Sequence, residues 1–465
     1  MSGEYYSTQT ETEINKRRMT FFFQNWSSLN NDLLESIFDL LPIVDMLRIR
    51  GVCSPWRSLA KTHIKSRLIK LKLPLFLVLP RRDDADMYVE DPEDCGCERN
   101  PNVTYRIEKD NRHIDRLYSP EDKSFYRLAN PLQGDCVGSF SRGWLMMLYF
   151  SGKKIIDDQG GVNLFMYSPL LEIKIYLPSP LRSPIYNEDS FPSSCIGGCN
   201  NRGKHWIQKA TLVGLDDGDL ITSNRYGLVI IYGPFSKLAF LMCGETQWRS
   251  SSSFDDEEGY VDLTCYKNSI FALTKGGSVD VWKWDFSSFD PTPTRKMNIP
   301  PSLPDITKNN HKSHDLGEYL YVAHTKRYII PTHSHGEILL VERCIGQFVP
   351  VRELFHVTIS QSYFTAKFYV HRMNFDKPEW IRLENIGDRL IFVGVNQSVS
   401  FSAKDFPGCE KNSIYFTDDY WEKIDENPLY GGHDMGFFNL EDEHDPKRFH
   451  DILRCKRSPA FWLLP

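Results

Sequence analysis

The sequence predicts a mainly β protein with a small N-terminal α domain, and three observations carry that prediction. Helix-spaced apolar residues with capping signals fill residues 26–68, and helix periodicity nearly vanishes afterwards. From residue 73 to 465, short apolar runs are punctuated by Gly, Pro, Asn and Asp, as in many short strands. Two proline-bounded segments of nearly the same sequence stand at the two ends of that β region. Together they predict three short helices followed by a β-propeller of about six to eight four-stranded blades.

Residues 1–25 are polar and are expected to form a disordered tail. Lys16-Arg17-Arg18 is at most a weak nuclear address. Phe21-Phe22-Phe23 follows it without the longer apolar run that a signal peptide needs. In the helical stretch, Asn31 and Asp32 are capping residues, and Glu35 stands three beyond Asp32 at capping-box spacing. Leu33, Leu34, Ile37, Phe38 and Leu41 recur at helical steps, which predicts one apolar face. Pro42 stops this helix. Asp45 caps a second helix with Met46, Leu47, Ile49 and Val52, and Ser54-Pro55 opens a third with Trp56, Leu59, Ile64 and Leu68. Three such helices cannot hide that much apolar surface among themselves, so either the rest of the chain or a second protein covers it.

The order Leu29…Asp32-Leu33-Leu34…Ile37…Leu41…Asp45…Arg48…Val52-Cys53…Trp56-Arg57 resembles an F-box. Asn30 stands where that family usually has proline, and asparagine also serves as a helix-entry residue. The resemblance implies docking on a Skp-type adaptor and, through it, on a cullin in an SCF-type ubiquitin ligase. The residues it assigns to adaptor binding are Leu29, Leu33, Leu34, Ile37, Phe38, Leu41, Leu47, Val52 and Trp56.

The β region, 73–465, carries repeated strand–turn–strand units. Examples are Ser141–Tyr149 with Val162–Tyr167, Arg225–Tyr232 with Lys237–Met242, and Asn268–Leu273 with Val279–Trp284; later strands include Leu316–Val322, Ile386–Val393 and Asn412–Phe416. Pro74-Leu-Phe-Leu-Val-Leu-Pro80 and Pro459-Ala-Phe-Trp-Leu-Leu-Pro465 match as first and last strands that share a blade and so seal a ring. Two packed β-sandwiches are the rival architecture. Asn130-Pro131-Leu132, a Tyr167-Ser-Pro-Leu170 segment ending in Leu177-Pro178, Ile386-Gly-Asp-Arg-Leu-Ile-Phe392, Ser413-Ile-Tyr-Phe-Thr-Asp-Asp419, Phe438-Asn-Leu-Glu-Asp442 and a Trp-bearing C-terminus resemble a plant F-box family whose C-terminal part is a domain of unknown function. That resemblance supplies no catalytic residues.

Composition narrows the function. The 465 residues carry 29 Phe, 22 Tyr, 10 Trp, 29 Gly and 27 Pro, which favours strands and turns. The net charge of −6 excludes nucleic-acid binding by bulk charge. It divides into +4 for residues 1–72 (11 basic, 7 acidic) and −10 for the remainder (44 basic, 54 acidic), so two units with different partners are expected. The longest apolar stretches, such as Leu75–Leu79, are strand-sized and imply no membrane span. Eleven thinly spread cysteines point to reduced thiols in the cytosol or nucleus.

Candidate chemistry is sparse. Cys95-Gly-Cys97 and Cys195-x3-Cys199 near His205 lack zinc-module spacing. Asp216-Asp217-Gly-Asp219 reads as a turn, and Asp255–Glu258 as a solvated loop. His311, His314, His333 and His335 read as surface histidines, and Trp144, Trp248, Trp282 and Trp421 as blade packing. No nucleophile elbow, phosphate loop or zinc-protease helix occurs. With the F-box resemblance, the expectation is a non-catalytic substrate receptor with no cofactor or metal, whose β domain, as that resemblance implies, holds a target protein for ubiquitination. Non-degradative sequestration of a partner and a propeller enzyme are the alternatives.

Overall fold

A computed structural model of the chain describes residues 26–41, 43–68, 76–79, 116–120, 123–128, 132–140, 143–150, 162–179, 207–214, 226–233, 235–250, 259–284, 292–298, 312–313, 318–332, 336–350, 363–374, 377, 379–395, 397–420, 434–441, 446–449 and 460–464. The chain divides into two compact units, Met1–Leu73 and Pro74–Pro465.

In the first unit a 3-10 turn, Trp26–Ser28, precedes helices α1 (Asn31–Asp39), α2 (Ile43–Ile49) and α3 (Ser54–Leu68). The cap of α1 is Asn30, whose side chain accepts from the Asp32 amide at 3.3 Å. The expected capping box on Asp32 is therefore not the one used: Asp32 lies in the first turn, where its charge faces the positive end of the helix dipole. Asp45 is likewise inside the first turn of α2 rather than at its cap, and pairs with Arg48 at 2.7 Å. In α3 the Cys53 carbonyl accepts from the Arg57 amide at 3.0 Å. Ser54 is thus the first helical residue and Pro55 the second, where a missing N–H still costs nothing. Leu34, Phe38, Met46, Ala60 and Ile64 form the buried centre. The Trp56 and His63 rings both meet Phe38 edge-on, at 6.1 and 5.8 Å. Trp56 Nε1 donates to the Trp26 carbonyl at 2.9 Å, which ties the 3-10 turn to α3.

Among the described residues, the second unit forms six sheets, the blades of a propeller at the low end of the expected blade number, and not a pair of sandwiches. Blade 1 combines Phe461–Leu463 with Phe76–Leu79, Arg116–Ser119 and Ser124–Arg127; blade 2 spans Asp135–Leu177, blade 3 Ile207–Ser250 and blade 4 Tyr260–Asn298. Blade 5 spans Lys312–Leu383 and blade 6 Arg389–Arg448, each with five strands among the described residues. The innermost strands meet their neighbours around the axis: Phe461–Leu463, Asp135–Phe140, Ile207–Val213, Tyr260–Tyr266, Glu318–Thr332 and Val399–Ser402.

The matched end segments do seal the ring. Phe76, Leu77 and Val78 pair antiparallel with Leu463, Trp462 and Phe461. Gly143 N donates to the Leu464 carbonyl at 2.8 Å, joining this strand to blade 2, and Trp462 Nε1 donates to Val393 O at 3.3 Å, joining it to blade 6. Strand periodicity explains why the blades pack face to face. Side chains alternate between the two faces of a strand, so an all-apolar strand can serve two seams. Leu228, Ile230 and Tyr232 pack towards blade 2, while Val229 and Ile231 pack towards blade 4. Leu390, Phe392 and Tyr415 likewise face blade 1, and Ile391, Ile414 and Phe416 face blade 5.

Three local features depart from a plain hairpin repeat. The described part of the strand expected at Leu316–Val322 belongs to Glu318–Thr332, which pairs with Glu337–Pro350 as a hairpin far longer than a standard blade. In blade 6, Arg389–Val393 pairs in parallel with Ser413–Phe416; Gly387 and Asp388 form a turn, and Ile386 before them is not strand. In blade 4, Lys267 and Asn268 have φ of 47° and 56°, the two-residue turn whose twist suits a tight hairpin.

Candidate functional site

Helix α1 carries two apolar stripes, not the single face that the spacing predicted. Leu34, Phe38 and Leu41 follow one i, i+4, i+7 line, and Leu33, Ile37 and Leu40 follow the adjacent one. Leu34 and Phe38 are fully buried and Leu41 is half-buried, so that stripe serves the unit's own core. The other stripe faces solvent: Leu33 is 56%, Ile37 38% and Leu40 85% exposed. Val52 at 59% and Trp26 at 60% add to the exposed apolar surface. Leu29 and Trp56 are half-buried. Leu47 lies in α2, and its side chain is outside the described residues. Sequence reasoning passed over Leu40 and Trp26. The i, i+4, i+7 register of Leu33, Ile37 and Leu40 was the available signal for the first.

Leaving so many large apolar side chains in water is unfavourable by about 25 cal/mol for every Å² left uncovered. Soluble surfaces rarely group them this densely unless another protein covers them. The exposed set carries no titratable group, and charges lie around it instead: Asp32 and Arg48 are exposed. This arrangement suits burial against an apolar groove and has no nucleophile, general base or metal ligand within it.

The propeller holds a second concentration of chemistry, which the sequence did not disclose. Arg343, on a central strand of blade 5, is fully buried. Its guanidinium donates to Thr365 Oγ1 (2.7 Å), the Thr417 carbonyl (2.7 Å), Asp419 (3.0 Å) and Asp434 Oδ2 (3.0 Å). Tyr363 donates to Asp418 at 2.7 Å, and Lys326 pairs with Asp419 at 3.7 Å. Burial alone would raise the Asp419 carboxyl, but the positive charges of Lys326, Arg343 and Lys209 outweigh it and hold the group below its ordinary value of 3.8. Burial, reinforced by Asp418, pushes the Tyr363 hydroxyl far up, so it remains a donor. Three carboxylates with directed partners form a cross-blade clamp, since Asp418, Asp419 and Asp434 belong to blade 6 and Arg343 to blade 5. Two of these aspartates lie in the Ser413–Asp419 run singled out in the sequence, whose role is thus structural. Asn412 of the same region, at φ +57°, accepts from the Ile386 amide at 2.8 Å, and Arg389 bonds back to Ile386 O at 2.8 Å.

Trp144, Trp248 and Trp282 are buried between blades, as packing residues. Cys95, Cys97, Cys195, Cys199, His205, Asp216–Asp219, Asp255–Glu258, His311, His314, His333, His335 and Trp421 lie outside the described residues. Among the described residues, no group of three or more His, Cys, Asp and Glu could hold a metal ion, and no helix is long and apolar enough to cross a membrane.

These features agree with known proteins. Residues 26–67 match the F-box domain, and residues 117–439 match the KIB1-4 β-propeller. Relatives of similar length occur in Arabidopsis thaliana. F-box protein At2g05970 is 23% identical over 86% of this chain and 86% of its own. F-box only protein 7 is 23% identical over 95% and 94% of the two chains, and F-box protein SKIP23 is 24% identical over 90% and 89%. Likeness to solved structures is slight: the major Malassezia sympodialis allergen Mala s 1 is 10% identical, covers 71% of this chain and 89% of its own, and has a TM-score of 0.31. The chain belongs to the KIB1-4 β-propeller family and is a plant F-box protein with a C-terminal propeller.

Proposed function

We propose that this protein is a substrate receptor of an SCF-type ubiquitin ligase. The F-box would dock on a Skp-type adaptor, and the propeller would hold a target protein. The observation that carries the reading is the solvent-facing stripe Leu33, Ile37 and Leu40 with Val52, inside a domain that matches the F-box. Of the residues assigned to the adaptor by resemblance, Leu33, Ile37 and Val52 would make contact directly, with Leu29, Leu41 and Trp56 at the margin. Leu34 and Phe38 would act from beneath, by fixing α1 against α3. The protein would make no bond itself. It would raise the concentration of its target beside the ligase, the entropic share of catalysis. Its place of work would be the cytosol or nucleus.

Affinity purification of the tagged full-length chain tests this reading. A Skp-type adaptor and a cullin should co-purify with it, and a co-purifying target should have a longer half-life when the protein is removed. Recovery of neither adaptor nor cullin would refute the proposal. A target whose half-life does not change would instead favour sequestration.

A further inference from the structure

Lys209 is a buried cation on the innermost strand of blade 3. A buried ammonium is costly unless its partners are placed for it. Its Nζ lies 3.2 Å from Asp262 Oδ1 of blade 4 and donates to the Gly394 carbonyl of blade 6 at 3.0 Å. It also stands 5.4 Å above the Tyr328 ring of blade 5. Asp262 is fully buried, and its other oxygen accepts from the Ile329 amide of blade 5 at 2.8 Å. Blades 3 and 6 are opposite members of the ring of six, so this one side chain spans the axis.

The backbone is shaped for the contact at three places. Strand pairing slips between Ile207 and Lys209, and again between Tyr260 and Asp262. Each slip is a bulge on an innermost strand, and each ends on a member of the ion pair. A bulge re-aims the side chain that follows it, at the expense of local ladder bonding. The third place is Gly394, at φ +149°, where a Cβ would lie 2.0 Å from Thr417 Oγ1. Only glycine can turn its carbonyl to the lysine there.

We propose that Lys209, Asp262 and the Gly394 carbonyl form an ionic lock across the propeller axis. The lock holds blades 3 to 6 in register and closes the axis at that level, which leaves recognition of a partner to the rims.

Hydrogen exchange on the full-length chain tests the lock, read on a peptide containing Ile329. K209M leaves Asp262 buried without its cation, so exchange should rise by roughly a hundredfold or more, the size expected when one partner of a buried pair is orphaned. In K209M/D262N the stranded charge is gone, and exchange should return to within about tenfold of the parent. An effect of K209M below about threefold would overturn the proposal, as would a double variant no better protected than the single one. Should K209M yield no folded protein, the double variant decides: recovery of folded protein supports the lock, and failure to recover it refutes the lock.

Discussion

Replacing Arg343 with methionine probes the clamp between blades 5 and 6. Methionine fills a comparable volume but donates nothing, so Asp419 and Asp434 remain buried without the guanidinium. The cost is set by what is left behind, not by the attraction lost. Orphaning one partner of a buried ion pair destabilises by about 3–5 kcal/mol, against a total stability of about 5–15 kcal/mol for a folded protein. The Thr417 carbonyl and Thr365 hydroxyl also lose their donor. Arg343→Lys should recover only part of this, because an ammonium cannot reproduce the planar fork. The control is Arg249→Met. Arg249 pairs with Glu245 at 2.5 Å with a half-exposed side chain, and surface pairs of this kind contribute about 0–1 kcal/mol. Urea unfolding followed by tryptophan fluorescence measures both, since Trp144, Trp248, Trp282 and Trp462 are buried in the propeller. A loss below about 1 kcal/mol for Arg343→Met, similar to the control, would refute the view that this cluster is desolvated and mutually dependent.

Three further outcomes follow from packing and charge. Gly227→Val should destabilise by more than the ordinary overpacking cost of about 1–3 kcal/mol, because a Cβ there lies 2.1 Å from the Trp284 ring; the same unfolding measurement checks it. Trp462→Ala should cost about 3–5 kcal/mol, since the ring is fully buried at the seam that closes the propeller and its Nε1 is bonded to Val393. Acid sensitivity should separate two aspartates. The Asp419 carboxyl is lowered in the folded state, so its stabilisation is complete above 3.8 and is lost as pH falls through the lower folded value. Desolvation raises the Asp262 carboxyl above its ordinary value despite Lys209 and the Ile329 amide, so on acidification Asp262 takes up its proton at a higher pH than Asp419 does. Urea midpoints of Asp419→Asn and the parent should therefore converge below about pH 4, whereas an unchanged gap down to pH 2 would contradict the assignment.

Much of the architecture could be read in the chain, and the parts that could not share a physical cause. The three helices, the strand-rich body and the ring closure were legible because each rests on apolar spacing or on a repeated segment such as Pro74–Pro80 and Pro459–Pro465. Cap positions moved by one or two residues because Asn30, Asn31 and Asp32 are all competent caps, and only backbone geometry chooses among them. The parallel pair in blade 6 and the long hairpin in blade 5 were hidden because neither leaves a mark in a period-two pattern. Buried Lys209, Asp262 and Arg343 were hidden for a different reason: ionisable residues normally lie outside, so a sequence gives no cue that these are paired within. The exposed apolar face of α1 was half legible. Spacing identified the apolar residues of α1, but Leu33 and Leu34 point about 100° apart, and deciding which one faces inward requires the packing of Phe38 against Trp56 and His63.

The most direct test of the ligase-receptor reading is adaptor binding by a chain carrying Leu33→Asp and Val52→Asp. Both positions face solvent, so the helical unit should keep its fold, as circular dichroism would report. Calorimetric titration with a purified Skp-type adaptor should show tight binding to the parent and a loss of at least about a hundredfold for the variant, since two charges would be buried in an apolar contact. Equal affinity of the two chains for the adaptor would contradict the assignment of this face.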